Sequence, residues 1–292
     1  EKIRLKYLKI IGLINTIYWL INRPFGIIVL NYWGKQICGK CFNHNFGDDL
    51  NPYLIRRITG KKVINYDNML KIPIRNYCCI GSILEYMPTS TSIVWGSGAI
   101  HDGREINIIP KKVCSVRGPL TRKYLLERGV HCPEIYGDPA LLVPYVYNPN
   151  IEKKYKLGII SHYIDYYDER LNSLGSDVLI INLRNYGTIE HVIDQIKSCE
   201  AIASSSLHGL ILADAYNIPN VWIKLSDKIS GGMFKYQDYF MGVNREVASS
   251  IDFKDGPIDK LKIFTELKRY KPIQFDVQKL LDAAPFKVVL NF

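Results

Sequence analysis

Three serines run into a histidine at Ser204-Ser205-Ser206-Leu207-His208-Gly209. Ala201 to Ser204 is a β-rich apolar run and Leu207 to Asn217 has helical composition, so the serines fall in a strand-to-helix turn. Free backbone N–H groups at a helix start, joined by hydroxyls, attract anions. His208, in the first turn, suits donation to a phosphate or general acid–base work; a serine-capped helix with an incidental histidine would give the same letters. Arg117 closes the apolar run Val113 to Val116 and precedes Pro119 to Arg128, a helix with proline at its start and Gly129 at its end. That places its planar fork at a strand's carboxyl end, where it suits a carboxylate or phosphate. Asn45-Phe46-Gly47-Asp48-Asp49 occupies the first strand-to-helix loop. Gly47 permits close backbone approach, and the aspartates can cap the helix, hold a hydroxyl or act as a base. Gly96-Ser97-Gly98 and Gly137-Asp138-Pro139 are weaker turn signals, and Lys235 offers one more cation.

These residues need a scaffold of short buried strands and helices. Gly26 to Tyr32, Tyr77 to Ile80, Ser92 to Trp95 and Val113 to Val116 read as strands, with a helix over Leu50 to Ile58. Residues 144–156 are rich in Pro, Asn and Lys and mark a linker. Beyond it, Leu157 to Ser161, Val178 to Leu183, Ala201 to Ser204 and Asn220 to Leu225 are strands, with an amphipathic helix over Thr188 to Cys199. Continuous apolar strands alternating with helices predict parallel sheets buried on both faces. The expected organisation is an N-terminal segment over 1–24 and two Rossmann-like domains over 25–148 and 149–292. Ligands bind at the carboxyl ends of the strands in such folds.

The 292 residues carry a formal net charge of +10. Nucleic acid, an anionic membrane and an acidic substrate are the partners such a balance suggests. No arginine-rich arm or zinc-finger spacing supports nucleic acid. Seven cysteines, odd in number and irregularly spaced, argue against a disulfide framework. Cys38-Gly-Lys-Cys41 has zinc-hairpin spacing without a second pair, so reduced thiols and no metal are expected. Ile3 to Ile21 is apolar, with Arg4, Lys6 and Lys9 near its start, but Asn15 and Thr16 interrupt it and Arg23-Pro24 closes it. It is too broken to span a bilayer. Two readings remain: a helix lying in a membrane interface, or one packed on protein.

Taken in order, NFGDDLNP (45–52), VWGSGAI (94–100), SVRGPLTRKYL (115–125), YGDPALLVP (136–144), SLHGLILADAYNIP (206–219) and FKYQDYF (234–240) resemble the polysaccharide pyruvyl transferase family, over residues 27–245. The resemblance implies a GT-B-like fold of two facing α/β domains. It also implies transfer of the pyruvyl group of phosphoenolpyruvate to two hydroxyls of a hexose, giving a ketal and free phosphate. Arg117 and His208 then match the donor-binding arginine and histidine, with Ser204, Ser205, Ser206 and Gly209 forming the phosphate turn. Asp48 matches the loop aspartate beside the acceptor, with Asn45, Gly47, Gly96 and Ser97 around it. Many members carry arginine just before Leu-His-Gly; here that position is Ser206. The donor pocket must then find its second cation elsewhere, and Lys235 or Lys224 could supply it. No cofactor is implied. The expected acceptor is a lipid-linked repeat unit, met at the cytoplasmic face of the inner membrane. A nucleotide-sugar glycosyltransferase and a non-catalytic binding protein are the rival readings of the same scaffold.

Overall fold

The computed structural model describes every residue except 1, 35, 38–39, 42–44, 102, 104, 247–248 and 291–292, with backbone only for 2–6, 36–37 and 40–41. Cys38 thus lies outside the described residues. The chain opens with helix α1 (Lys2–Asn22), then strand β1 (Ile28–Leu30) and a small antiparallel hairpin, β2 (Gln36–Ile37) and β3 (Lys40–Cys41). Helix α2 (Phe46–Thr59), β4 (Val63–Asn65), β5 (Asn76–Cys78), β6 (Ser92–Trp95), β7 (Lys112–Ser115) and α3 (Pro119–Leu126) complete the first lobe. The second holds β8 (Tyr155–Ile160), β9 (Val178–Ile181), α4 (Ile189–Lys197), β10 (Cys199–Ser204), α5 (Leu207–Ala215), β11 (Asn220–Lys224), α6 (Phe234–Gly242), β12 (Ile251–Asp252), α7 (Lys260–Leu267) and α8 (Val277–Asp282).

Each lobe is built on a parallel five-stranded sheet, ordered β4-β1-β5-β6-β7 and β12-β11-β10-β8-β9. Counted within its lobe, each sheet has the doubly wound order 2-1-3-4-5. The order therefore reverses between β1 and β5 in one lobe and between β8 and β10 in the other. Crevices open at such switch points. These are the two parallel sheets of an α/β protein with two Rossmann-like lobes.

One apolar cluster crosses between the lobes. Phe46, Leu50 and Leu54 of α2 belong to it together with Leu207, Leu210 and Ile211 of α5. The expected boundary at 148/149 falls in the connection before β8, but the chain does not stay on its own side after it. Trp95 Nε1 of β6 donates to the Leu280 carbonyl of α8 at 2.9 Å, and Phe286 packs edge-on against Trp95. Asp238 of α6 is likewise bonded to Arg117 and Thr121 of the first lobe.

Candidate active site

The two switch points line opposite sides of one cleft of about 830 Å3. From the first lobe it receives Trp33 after β1, Asn45, Gly47 and Asp48 at the start of α2, and Gly81 and Ser82 after β5. The second lobe supplies His162 and Tyr163 after β8, Ser206 and His208 at the start of α5, and Lys235 at the start of α6. Such a volume lies within the roughly 300–1,000 Å3 of small-molecule sites.

The basic side is the more distinctive. His208 is 15% exposed, and its Nε2 has no hydrogen-bond partner. Burial, then the charges of Arg117, Lys235 and His162, hold its imidazole down to about 3. His162 is held near 3 by burial and by Lys235; its backbone N–H donates to Ser205 Oγ at 2.9 Å. Lys235 is buried, forms no ion pair among the described residues, and is lowered to about 8 by burial and by Arg117. Cation-forming groups that suppress each other's charge in an enclosed space gain most when an anion enters.

Asp138 sits behind His208. It precedes the 3-10 turn Pro139–Tyr145, and its Oδ1 accepts from the Ala140 N–H at 2.9 Å. Its Oδ2 has no partner and lies 3.9 Å from His208 Nε2, which is equally unpartnered. Burial raises the Asp138 carboxyl to about 7. The two unpartnered atoms face each other across a gap too long for a hydrogen bond, and between the two values the proton resides on the Asp138 carboxyl rather than on the ring. Glycine at 47 is required for that ring's place: a Cβ there would stand 2.1 Å from His208 Nδ1.

Asp48, which also lines the cleft, is in the first turn of α2 rather than at its cap position, which Asn45 holds. The Asn45 amide donates to Asp48 Oδ2. Burial first, and the charge of Asp49 second, push its carboxyl well above the usual range. Asn51 fixes this turn to the loop after β5, exchanging two hydrogen bonds of 2.9 Å with the Ile80 backbone. The Tyr186 hydroxyl, from the second lobe, donates to Asp49 at 2.5 Å.

Of the residues expected from sequence, Asn45, Gly47, Asp48, Ser206, His208 and Lys235 meet in the cleft wall. The others stand behind it. Arg117 is fully buried, bonded by Nε to Asp238 at 3.0 Å and by its terminal nitrogens to the Ala99 carbonyl and Ser82 Oγ at 2.6 and 2.5 Å. It adds positive potential through the floor and reaches the cleft by way of Ser82. Ser204 Oγ accepts from the Ser206 N–H at 3.0 Å and shapes the turn, and Gly209 leaves room for that hydroxyl. Ser205 Oγ holds the His162 backbone. Gly96 makes room for Pro139, next to Asp138, and Ser97 Oγ donates to the Gly81 carbonyl at 2.9 Å. Lys224 pairs instead with Asp227 and, at 3.7 Å, with Asp252, away from the cleft wall, whose cation-forming residues include Lys235 and Arg184. Asp138, His162 and Asp238 had no roles assigned from sequence. Their partners lie far along the chain, and only the Gly137-Asp138-Pro139 turn hinted at one of them.

No group of three or more metal-ligating side chains occurs among the described residues. The sequence model of the family described as polysaccharide pyruvyl transferase matches residues 67–227. That span contains β5, Arg117, Asp138, His162 and the His208 turn. The chain is 30% identical over 216 residues to the succinoglycan biosynthesis protein ExoV of Rhizobium meliloti, covering 71% of this chain and 62% of that protein. It is also 28% identical over 235 residues to an uncharacterized protein of Acanthamoeba polyphaga mimivirus, covering 75% of this chain and 76% of the relative. A family match over more than half the chain makes this chain a member of the polysaccharide pyruvyl transferase family.

Proposed function

We propose that this pyruvyltransferase draws its pyruvyl group from phosphoenolpyruvate and sets it as a ketal on two hydroxyls of a hexose in a lipid-linked repeat unit, at the cytoplasmic face of the membrane. The observation that carries the reading is the basic cluster of His162, His208 and Lys235, backed by Arg117, with no carboxylate paired to Lys235 among the described residues. A small substrate bearing both phosphate and carboxylate meets the needs of such a cluster. The first-turn N–H groups of α5 and the Ser206 hydroxyl receive the phosphate. Lys235 stands in for the arginine absent at Ser206.

The reaction balances as follows. A proton from the Asp138–His208 pair goes to the methylene carbon, and one sugar hydroxyl attacks the carbon bearing the phosphate. Phosphate leaves, the second hydroxyl attacks the same carbon, and the ketal closes. Of the two hydroxyl protons, one replaces that delivered to the new methyl group and the other leaves with phosphate. The cation that develops at the central carbon is balanced by the substrate's own carboxylate. Asp48, a stronger base than an ordinary carboxylate because of its burial, lines the same cleft as His208 and accepts a hydroxyl proton. Asn45 orients it.

Incubation with phosphoenolpyruvate and lipid-linked oligosaccharides tests this. The expected result is acceptor-dependent phosphate release with gain of a pyruvate ketal on the acceptor. Release of nucleoside diphosphate from a nucleotide sugar, with phosphoenolpyruvate untouched, would overturn it.

A further inference from the structure

Helix α1 meets the protein through small, polar and aromatic residues: Tyr18 and Trp19 pack against the cluster of Val29, Ile64, Tyr66 and Met69, Asn15 Nδ2 donates to the Asn68 carbonyl at 2.8 Å, and Thr16 Oγ1 accepts from the Leu70 N–H at 3.0 Å. Gly12 lies against Leu70, and Asn22 Oδ1 accepts from Lys62 Nζ at 2.7 Å. The aliphatic residues face away. Ile10, Leu13, Ile14, Ile17 and Ile21, at helical spacing, are 40–64% exposed, and Phe25 just beyond is 82% exposed. A helix that only packed on its own domain would turn that stripe inward, because each buried aliphatic side chain gains about 1.5–3 kcal/mol. An exposed apolar stripe of this length marks an interaction surface.

The charges select its occupant. Lys2, Arg4, Lys6 and Lys9 fall in the first turns, Arg23 follows the last, and Lys2–Asn22 contains no acidic residue. A second copy of the helix, set parallel or antiparallel, offers these cations no counter-charge. A bilayer with anionic headgroups satisfies the apolar stripe and the basic sequence at once. The apolar stripe enters the acyl boundary, and the cations stay among the headgroups. No helix among the described residues is long and apolar enough to cross a membrane, so a bilayer contact through α1 would run along the surface.

The direction of α1 also matters. Asn22 lies beside Lys62, just before β4, whereas Asn15 and Thr16 meet residues that follow β4. The basic N-terminal turns therefore point beyond the carboxyl ends of the strands, the edge at which the cleft opens. We infer that α1 is a membrane-docking helix, lying flat on an anionic lipid surface with the Ile10–Ile21 stripe buried. This inference stands independently of the reaction chemistry.

Co-sedimentation of the full chain with vesicles tests it. Binding to phosphatidylcholine vesicles containing phosphatidylglycerol should exceed binding to pure phosphatidylcholine by at least about tenfold and weaken with added salt. Ile14→Glu with Ile17→Glu, both exposed, should cut binding by about tenfold or more while circular dichroism and Tm stay unchanged. Lys6→Gln with Lys9→Gln should remove most of the preference for phosphatidylglycerol, which tests the idea even if the glutamates disturb folding. Equal or absent binding to the two vesicle types would overturn it. So would a dimer in solution that the glutamate pair converts to monomer without vesicle binding in either form.

Discussion

At the scale of single residues, the proposed acid is the Asp138 carboxyl beside His208, and its titration sets the expected response to pH. With the carboxyl near 7 and the ring near 3, the empty pair holds one proton between those limits and loses it above about pH 7. The acid is thus depleted as pH rises, and kcat/KM for phosphoenolpyruvate should fall through about 7. Asp138→Asn keeps the acceptor for the Ala140 N–H but cannot lose a proton. It should lower kcat and move the descending limb toward the Lys235 value of about 8; an unchanged pH profile would separate Asp138 from proton transfer. His208→Ala should cost roughly 10²–10⁴ in turnover, the usual worth of a general acid, with Tm little changed. Lys235→Met should raise the Kd for phosphoenolpyruvate about tenfold or more, read by calorimetry, with a smaller effect on kcat. In the wild type the same Kd should rise as pH passes about 8, since Lys235 then loses its charge. The local chemistry of Ser206-Leu207-His208 and Asn45-Phe46-Gly47-Asp48 was legible because each sits in one strand-to-helix turn. Asp138 was not, since its partner is far along the chain and no periodicity joins the two.

At the scale of elements, the site depends on how closely two helix starts approach. The first turns of α2 and α5 touch through Gly47 and the His208 ring, with no space for a methyl group between them. Gly47→Ala should therefore displace the imidazole and abolish turnover, while costing about 1–3 kcal/mol in stability by overpacking. Wild-type activity in that variant, measured by phosphate release, would show that the ring's position is not critical. Several elements followed directly from residue type. Ser92–Trp95 is the strand its apolar run predicts, and Thr188 caps α4 through a hydrogen bond from the His191 N–H. Strands β4 and β12 escaped notice. They are three and two residues long, and Lys61 and Lys62 break the apolar pattern before the first. Helix α6 was hidden for a different reason. It buries Lys235 and Asp238 on its inner side, one for the cleft and one for Arg117, so polar letters occupy core positions.

At the scale of the whole molecule, α6 binds the lobes together from beneath the cleft. Asp238 is fully buried, pairs with Arg117 Nε at 3.0 Å, and accepts from the Thr121 N–H and hydroxyl at 2.8 and 2.7 Å. Removing the carboxylate strands a buried guanidinium. Asp238→Ala should therefore destabilise by about 3–5 kcal/mol in chemical denaturation. Because an apolar cluster also crosses between the lobes, the wild type should unfold in one transition rather than two. Two independent transitions would show that each lobe folds alone. The two-lobe plan was legible in the alternation of strands and helices around a Pro- and Lys-rich connection. The return of α6 and α8 to the first lobe was not, because it rests on single pairs such as Trp95 with Leu280.

The most direct test is a crystal structure with phosphoenolpyruvate bound. The phosphate should lie at the α5 N-terminus within hydrogen-bond reach of Ser206 and His208, with Lys235 against one of the two anionic groups and the methylene carbon toward the His208 ring. Phosphoenolpyruvate bound elsewhere, or in this cleft with its phosphate turned away from His208 and Lys235, would contradict the assignment.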